Sequence, residues 1–314
     1  MIIIDIAAPA AIAAPCVQTV GTFDGVHLGH QYLLRQLKAE ALRSGLTSMV
    51  VTFKEHPTAT LAAADPAHVR LTTLDEKLAL IEELGIDYVA LLDFTSELAA
   101  TSARDFMAQI LVRRLNGRAL LMGYDNRFGQ RRGKTIANYA SIGKKVGLQV
   151  MRADELTLTD DLRPSSTAIR TALDDGDVVL AARLLGRPYS VEGTVVRGDR
   201  IGHTLGFPTA NLALTDPNKM LPHHAAYAVS VHVGEKRYAG MLYIGNRPTF
   251  GDLTQQRVEV HLLDFDGDLY EQHLRVDFLR LLRQEQHFAS PDELRLQLER
   301  DLAAARLTHD SYFT

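Results

Sequence analysis

Residues 21–30 read Gly-Thr-Phe-Asp-Gly-Val-His-Leu-Gly-His and join a strand-like run to a helix-like run. Val17–Gly21 before them is mostly apolar, and Leu28–Arg43 after them has the apolar spacing of a helix. In an open α/β sheet, ligands bind beyond the carboxyl ends of the strands. Glycines there let the backbone approach a phosphate, and the start of the helix offers unpaired N–H groups. The stretch therefore predicts a phosphate-binding turn.

His27 and His30 are the candidate chemical groups of this turn. They are three residues apart, so a helix places both on one side of its first turn. Imidazoles there can donate hydrogen bonds to phosphate oxygens and stabilise charge that builds up in a transition state. A partial metal site or a solvated surface pair is the alternative for an isolated H-x-x-H, but the surrounding glycines favour the phosphate site. The residues expected to form the phosphate site around them are Gly21, Asp24, Gly25 and Gly29.

The first half of the chain alternates strand-like and helix-like stretches, which indicates a parallel sheet. The apolar start, residues 1–16, is interpreted as a lead-in to the first strand. We predict a Rossmann-like α/β domain over residues 1–186. Its strand-like stretches are Val17–Gly21, Ser48–Phe53, Tyr88–Phe94 and Ala119–Gly123, and its helix-like stretches are Leu28–Arg43, Leu74–Leu84, Ala103–Leu115, Ser166–Leu173 and Val178–Leu185.

The pattern changes after Gly186, where strand-like runs with a period of two begin. The chain then ends in a helix, with Ser290 as its N-cap and Pro291 at its first position. We predict a small antiparallel β-barrel with a C-terminal helix over residues 187–314. Its clearest strand-like runs are Val191–Arg197, Ala226–Val233, Arg237–Gly245 and Val258–Phe265.

Two hydroxyl residues and two arginines form a second candidate phosphate contact in the first domain. Ser166 and Thr167 begin a short helix and offer hydroxyls and free N–H groups. Arg170 lies one turn further along and Arg163 just before, so both cations could face one anion. A plain helix N-cap is the alternative interpretation of Ser166.

The second half contains a hexapeptide and a carboxylate of interest. Gly206–Asn211 reads Gly-Phe-Pro-Thr-Ala-Asn, which alone is compatible with a turn and a proline at the start of a strand. Glu259 shares one face of a predicted strand with His261. Alone, Glu259 is equally compatible with a solvated surface carboxylate.

The motifs of the first half resemble those of the FMN adenylyltransferase half of prokaryotic bifunctional FAD synthetases, within the broader H-x-G-H nucleotidyltransferases. The resemblance implies that His27, His30 and Arg170 are catalytic. The stretches that carry it are Gly21–His30, Thr52–Pro57, Arg70–Leu71, Gly123–Gly129 and Ser165–Arg170. The nucleotide-binding residues that it implies are Gly21, Phe23, Asp24, Gly25 and Gly29 in the turn, and Asp125, Arg163, Ser166 and Thr167 beyond it. A stretch that looks like a P-loop, Gly129–Thr135, is one residue short between its glycines and is given no role.

The hexapeptide and the loop before it resemble the ATP loop and metal site of riboflavin kinases. By this resemblance Thr209 and Asn211 hold a Mg²⁺ ion on the ATP phosphates, and Glu259 is the general base. Hard oxygen ligands of this kind suit Mg²⁺. Arg283 is a weaker candidate for the nucleotide or flavin edge. The nucleotide-binding residues implied in this half are Gly198, Gly202, Gly206 and Pro208. Five positions depart from the usual pattern of the family: Asn126, His203, Ala225, Ala226 and Glu271.

Together the resemblances predict a bifunctional enzyme that phosphorylates riboflavin to FMN with ATP and then adenylylates FMN to FAD with release of pyrophosphate. The alternative is an FMN adenylyltransferase only, whose barrel binds flavin or regulates. A flavin sensor without turnover and a different H-x-G-H enzyme, such as a cytidylyltransferase, are further alternatives. The complete hexapeptide with Glu259 argues against the first two, and the barrel argues against the third.

The composition of the chain limits the kinds of partner that it is expected to bind. The net charge is −4, and no basic patch of the kind that binds nucleic acid is present. No apolar run approaches the roughly 20 residues that span a bilayer, so no membrane association is expected. Cys16 is the only cysteine, which excludes an intrachain disulfide and fits the cytoplasm. The expected partners are ATP, riboflavin and FMN, and a homo-oligomer is left open.

Overall fold

The computed structural model describes residues 1–7, 14–55, 70–123, 128–129, 135–159, 162–197, 206–247 and 255–313. These residues form two compact units, Met1–Ser165 and Ser166–Thr314. The division lies ahead of the two short helices that the sequence analysis assigned to the first domain. The predicted domain boundary after Gly186 stays a prediction.

The first unit is built on a parallel sheet flanked by helices. Its described strands are β1 (Ile2–Asp5), β2 (Cys16–Val20), β3 (Thr47–Phe53), β4 (Tyr88–Leu92), β5 (Gly117–Met122) and β6 (Gln149–Arg152). Its described helices are α1 (Leu28–Ser44), α2 (Leu74–Glu83), α3 (Ser96–Ala100), α4 (Ala103–Asp105), the π-helical α5 (Phe106–Arg114) and α6 (Ile136–Val146). The strand order is β1-β4-β3-β2-β5-β6, and every pair is parallel. The predicted α/β fold is confirmed.

Both faces of this sheet are covered, which explains why its central strands are apolar throughout. Val17, Val50 and Val89 pack on one face in a cluster that includes residues of α1. Cys16 and Met49, which precede Val17 and Val50 in the sequence, pack on the other face in a cluster that includes residues of α5. All five residues of β2 are buried.

The order of the strands locates the ligand-binding edge of the sheet. From β2 the chain continues to β3 and β4 on one side, whereas β5 and β6 lie on the other side. A reversal of this kind opens a crevice at the carboxyl end of the strand where it occurs. The predicted phosphate-binding turn follows β2, and so it lies at this switch point.

The second unit begins with the helices α7 (Ser166–Asp174) and α8 (Val178–Leu185) and continues as a closed barrel. The strands are β7 (Tyr189–Val196), β8 (Ala210–Leu214), β9 (Ala225–Val233), β10 (Lys236–Arg247), β11 (Gln255–Leu262) and β12 (His273–Gln284), in the order β10-β11-β8-β7-β12-β9. The pairing of β9 with β10 closes the barrel, and all its pairs are antiparallel. The predicted barrel is confirmed.

The C-terminal helix α9 (Pro291–Phe313) packs on this barrel. The Ser290 hydroxyl accepts a hydrogen bond from the Glu293 backbone N–H at 3.2 Å, which caps the helix as predicted. Leu298 and Leu302 of α9 pack against a small buried cluster that includes barrel residues. The C-terminal helix is thereby a structural part of the second unit.

Candidate active sites

The turn after β2 is held in a strained conformation. Phe23 and Val26 have φ angles of +50° and +38°, and Gly25 has a φ of +84°. A positive φ is unfavourable for bulky and β-branched residues and costs about 1–3 kcal/mol at each position. Such strain persists only where the surrounding contacts fix the backbone, and it concentrates at functional sites.

Asp24 fixes this turn from within. Its carboxylate accepts hydrogen bonds from the backbone N–H groups of Leu71 and Thr72, with shortest distances of 2.9 and 3.1 Å, and from the Thr72 hydroxyl at 3.3 Å. The Gly25 N–H in turn donates to the Thr72 hydroxyl at 3.0 Å. Asp24 is 5% exposed. These contacts give Asp24 a structural part in the turn, and its expected contact with the nucleotide stays a prediction.

The two predicted histidines lie together at the start of α1. Their rings are stacked, with centroids 3.6 Å apart and planes inclined by 20°. His27 is the N-cap of α1, and its Nδ1 accepts the His30 backbone N–H at 3.3 Å. The Phe23 ring meets the His30 ring edge-on at 5.1 Å. The pattern G-T-F-D-G-V-H-L-G-H therefore builds one compact cluster.

The burial of His30 in this cluster favours the neutral form of its imidazole. Burial holds its pKa well below the ordinary value of 6.5, and the nearby His27 ring and Lys77 ammonium group lower the pKa further. Its Nδ1 is buried and has no hydrogen-bond partner within the described part of the chain. A neutral imidazole carries one N–H donor and one acceptor. His30 can therefore donate a hydrogen bond to an anion without carrying charge itself.

Gly21 and Gly29 serve close packing at the same place. A Cβ atom on Gly29 would lie 3.1 Å from the His27 ring and 3.2 Å from the Pro164 carbonyl oxygen. A Cβ atom on Gly21 would lie 3.0 Å from the Phe23 ring. Contacts this short force neighbouring atoms to move. Both glycines therefore allow the aromatic rings to approach the backbone of the turn.

A small pocket opens beside the turn, at the carboxyl ends of β2 and β3. It is lined by Thr22, Asp24, Phe53, Lys54, Glu55, Arg70, Thr72, Leu74 and Lys77. Arg70 pairs with Glu55 at 2.7 Å. Lys77, which the sequence analysis did not single out as a site residue, is 8% exposed. Its only sequence signal was its place on the helix that follows Arg70-Leu71.

Most of the other residues expected to bind nucleotide in the first domain lie at the end of the first unit and at the start of the second. Arg163 is exposed and pairs with Glu155 at 3.3 Å. Ser166, Thr167 and Arg170 belong to the second unit, where they form the first turns of α7. The Arg170 guanidinium donates to the Ser166 carbonyl at 3.4 Å. Asp125 and the departure Asn126 lie outside the described residues.

The barrel brings Asn211 and Glu259 together. They are directly opposite each other on β8 and β11, and Tyr243 of β10 is directly opposite Glu259. Opposed residues of antiparallel strands project to the same face. Val258 and Val260, on either side of Glu259, are buried, so alternation along the strand puts this polar row on the face away from the barrel core.

Arg257 bridges the two predicted residues. Its guanidinium forms an ion pair with the Glu259 carboxylate, and its Nε donates to the Asn211 side-chain oxygen at 3.4 Å. The sequence analysis did not name Arg257, although its place two residues before Glu259 puts it on the same strand face.

The hexapeptide Gly206–Asn211 is anchored on β11. The Pro208 carbonyl lies 2.7 Å from Nδ1 of His261. Since a carbonyl can only accept, Nδ1 carries the proton. The Phe207 ring packs on the His261 ring at 5.7 Å, and Gly206 has a φ of +82°. Thr209 and Asn211 are thus held close to the strand of Glu259, whereas Gly198, Gly202 and His203 lie outside the described residues.

Three other barrel positions have structural explanations. Arg283 donates to Asp301 at 2.7 Å and lies over the Phe288 ring at 5.3 Å, so its guanidinium is engaged within the fold. Glu271 has a φ of +64°, the region that favours glycine and that explains why the family often has glycine there. Ala225 is fully buried at the start of β9.

A parallel sheet with a histidine pair at its switch point, together with a barrel that carries a carboxylate and an amide on one face, defines a two-domain nucleotide-dependent transferase. The FAD synthetase family matches residues 10–168, and the riboflavin kinase family matches residues 185–309. The bifunctional riboflavin kinase/FMN adenylyltransferase of Escherichia coli K12 is 42% identical over 93% of this chain and 92% of its own length. That of Pseudomonas fluorescens is 40% identical over 93% of this chain and 92% of its own. The chain belongs to the bifunctional riboflavin kinase/FMN adenylyltransferase family, and it carries the domain of each transferase.

A solved structure is similar to this chain in fold. A crystal structure titled macrolide-efflux protein from Streptococcus pneumoniae is 31% identical and superposes with a TM-score of 0.88. The match covers 98% of this chain and 99% of that chain. In the ranges that the structure describes, no helix combines the length and apolar character needed to cross a bilayer.

Proposed function

We propose that the barrel phosphorylates riboflavin to FMN and that the sheet domain adenylylates FMN to FAD. The observation that carries this division is that each of the two polar clusters lies wholly within one unit. The His27–His30 cluster belongs to the first unit, and the row of Asn211, Glu259 and Tyr243 belongs to the second. Residues 1–186 and 187–314 are proposed as the corresponding domains.

Glu259 is the proposed base of the kinase reaction. It takes the proton of the terminal ribityl hydroxyl, whose oxygen attacks the γ-phosphorus of ATP while ADP leaves. Arg257 holds the Glu259 carboxylate in place across its ion pair. This arrangement orients the carboxylate toward a substrate that lies on the same face as Asn211.

Thr209 and Asn211 are the proposed Mg²⁺ ligands. The side-chain oxygens of this region suit the ion, because Mg²⁺ prefers hard oxygen ligands and is usually shared with substrate phosphates. When bound, Mg²⁺ neutralises charge on the phosphates of ATP. Gly206 and Pro208 shape the loop that carries these ligands, and Gly198 and Gly202 are proposed to complete it.

The adenylyl transfer requires no general base. An oxygen of the FMN phosphate, already ionised at neutral pH, attacks the α-phosphorus of ATP, and pyrophosphate leaves. Catalysis then depends on position and on hydrogen bonds to the developing charge. His27, His30 and the N-terminus of α1 are the proposed donors. Arg163, Ser166, Thr167, Arg170 and Asp125 are proposed as further nucleotide contacts on the strength of the family resemblance.

Chromatography of the flavins formed from riboflavin, ATP and Mg²⁺ tests the proposal. FMN is expected to appear first and FAD to follow as FMN accumulates. Conversion of supplied FMN to FAD without any FMN formation from riboflavin would instead support the alternative of an adenylyltransferase with a regulatory barrel. A cytoplasmic location is a further proposal, and a homo-oligomer stays open.

A further inference from the structure

Lys77 is a buried cation beside the phosphate-binding turn. Thr73 and Glu76 form a capping box at the N-terminus of α2. Lys77 follows directly on this helix and lies next to the phosphate-binding turn. Its ammonium group donates to the Phe53 carbonyl at 2.8 Å, the Thr52 hydroxyl at 3.4 Å and the Thr22 carbonyl at 3.5 Å. These three acceptors are neutral. Among the described residues, no carboxylate forms an ion pair with it.

Burial of this ammonium group opposes folding. It lowers the pKa of Lys77 from 10.5 to about 8, against a raising effect of Asp24 and Glu55 and with a further lowering by Arg70. A lowered pKa means that the folded chain binds the proton less tightly than the unfolded chain. Burying a charged group without an ionic partner costs free energy even when the group is hydrogen-bonded. Its presence therefore calls for a role other than stability.

Lys77 binds the backbone carbonyl of Thr22, at the start of the strained turn. The Thr22 carbonyl accepts from both Lys77 and the Thr52 hydroxyl, the latter at 3.2 Å. Phe23, with its positive φ, follows Thr22 directly. Lys77 therefore fixes one end of the turn, just as the contacts of Asp24 fix its middle.

The charge of Lys77 also reaches the histidine cluster. Its electrostatic effect contributes to the lowered pKa of His30. Because the ammonium group is largely removed from water, its field is screened less than that of a surface lysine. An anion bound at the turn would experience the same positive potential.

We propose that Lys77 is a positioning residue for adenylyl transfer, which holds the turn that carries His27 and His30 and supplies a fixed positive charge beside the bound phosphates. The inference rests on the proposed site of adenylyl transfer at this turn. Within the described ranges of the chain, the hydrogen bonds of its ammonium group go to Thr22, Thr52 and Phe53, so Lys77 acts through the turn and through the electrostatic field of its charge.

The first test is the Lys77→Met variant, assayed for both reactions of the full chain. We expect kcat for FMN-to-FAD conversion to fall by about 10²-fold, as for a small displacement of reacting groups, while riboflavin phosphorylation stays within twofold of the wild type. The melting temperature should stay equal or rise. Lys38→Met is the matched control, since Lys38 of α1 pairs with Asp87 at 2.7 Å, away from the turn. It should keep adenylyl transfer within about threefold.

The pH profile separates a charge effect from a packing effect. Of the residues that the structure describes, the charged and titratable groups around Lys77 are Asp24, Lys54, Glu55, Arg70 and His30. The pKa of Lys77 lies at about 8, whereas the pKa of His30 lies well below 6.5 and that of Lys54 is raised above 10.5. Wild-type kcat/KM for adenylyl transfer should therefore fall as the pH rises through about 8, and K77M should lack this fall. Lys77→Arg, which keeps the charge, should recover part of the activity.

Two results would overturn the inference. One is a folded K77M enzyme with wild-type adenylyl transfer, and the other is an unchanged pH profile in both K77M and K77R. If K77M does not fold, the pH profile of the wild type and the activity of K77R still test the inference. A wild-type enzyme that makes no FAD from FMN would instead refute the proposed function itself.

Discussion

Glu259 is the residue whose proposed role is most specific. Gln in its place keeps the size and can accept a hydrogen bond but cannot take a proton. Glu259→Gln is expected to lower FMN formation from riboflavin by about 10²–10⁴-fold, the usual contribution of a positioned base. Steady-state assays with riboflavin and with FMN measure the two reactions separately.

The control for this variant is Glu235→Gln, in the exposed turn between β9 and β10. It removes the same charge from the same barrel and should leave both rates unchanged. Conversion of supplied FMN to FAD should survive in E259Q. Persistent kinase activity in E259Q would place the base elsewhere.

The lowered pKa of the buried His30 predicts that the stability of the fold depends on pH. Its pKa is lower in the folded chain than the ordinary 6.5, so below about pH 6.5 the unfolded chain takes up a proton that the folded chain does not bind. Stability is then lost as the pH falls from 6.5. Urea unfolding at pH 7.5 and at pH 5.5 should show a smaller acid loss for His30→Gln than for the wild type. The exposed His287, changed to Gln, should leave the acid loss as it is, and parallel curves for H30Q and wild type would refute the assignment.

At the scale of elements, the sequence predicted the helices and strands around the turn to within a residue or two. α1 was expected over Leu28–Arg43 and is Leu28–Ser44, and α8 was predicted with its observed bounds. Capping residues and clear apolar periods define such elements locally. The C-terminal helix followed from Ser290 and Pro291 for the same reason.

Other elements could not be predicted in this way. Ile2–Asp5 was interpreted as part of a lead-in and is an edge strand, because its pairing with β4 lies more than 80 residues away in the chain. The helix expected over Ala103–Leu115 is largely π-helical, with the Leu115 N–H bonded to the Ile110 carbonyl. The roles of Arg257 and Lys77 likewise depend on neighbours from distant strands, which no local pattern shows.

The contact between β12 and α9 predicts a large effect on stability. The side chains of Arg283 and Asp301 are 12% and 6% exposed and lie 2.7 Å apart. Removing one partner of a buried pair leaves an uncompensated charge and costs about 3–5 kcal/mol. Asp301→Ala should therefore lower the urea midpoint of the barrel strongly, as followed by circular dichroism.

Another ion pair of the same helix supplies the control. Arg306 pairs with Asp264 at 2.6 Å, but both side chains are largely exposed, at 45% and 70%. Exposed pairs contribute about 0–1 kcal/mol, so Arg306→Ala should shift the midpoint little. Equal shifts for D301A and R306A would contradict the structural role of the buried pair.

At the scale of the whole molecule, the division into units predicts how the barrel behaves alone. α8 buries Leu184 and Leu185 and packs on β12 and β7. Burial of each leucine side chain stabilises the folded state by about 1.5–3 kcal/mol. A fragment that begins at Ser166 should therefore melt at a higher temperature than one that begins at Arg187, and both should phosphorylate riboflavin. Equal melting temperatures would show that α7 and α8 add nothing to the barrel.

The central claim is that two separate sites catalyse consecutive reactions. His30→Ala should still make FMN from riboflavin but form FAD about 10²–10³-fold more slowly, since one preorganised donor is lost. Glu259→Gln should still convert FMN to FAD but form little FMN. Neither variant alone should produce FAD from riboflavin efficiently.

The decisive measurement mixes H30A and E259Q in one reaction with riboflavin, ATP and Mg²⁺ and follows the flavins by chromatography over time. The account predicts that FAD formation is restored, because FMN released by the first variant is the substrate of the second. No FAD from the mixture, although each variant retains its own remaining reaction, would contradict a free intermediate passing between separate sites. Loss of both reactions in either variant alone would contradict the separation of the sites.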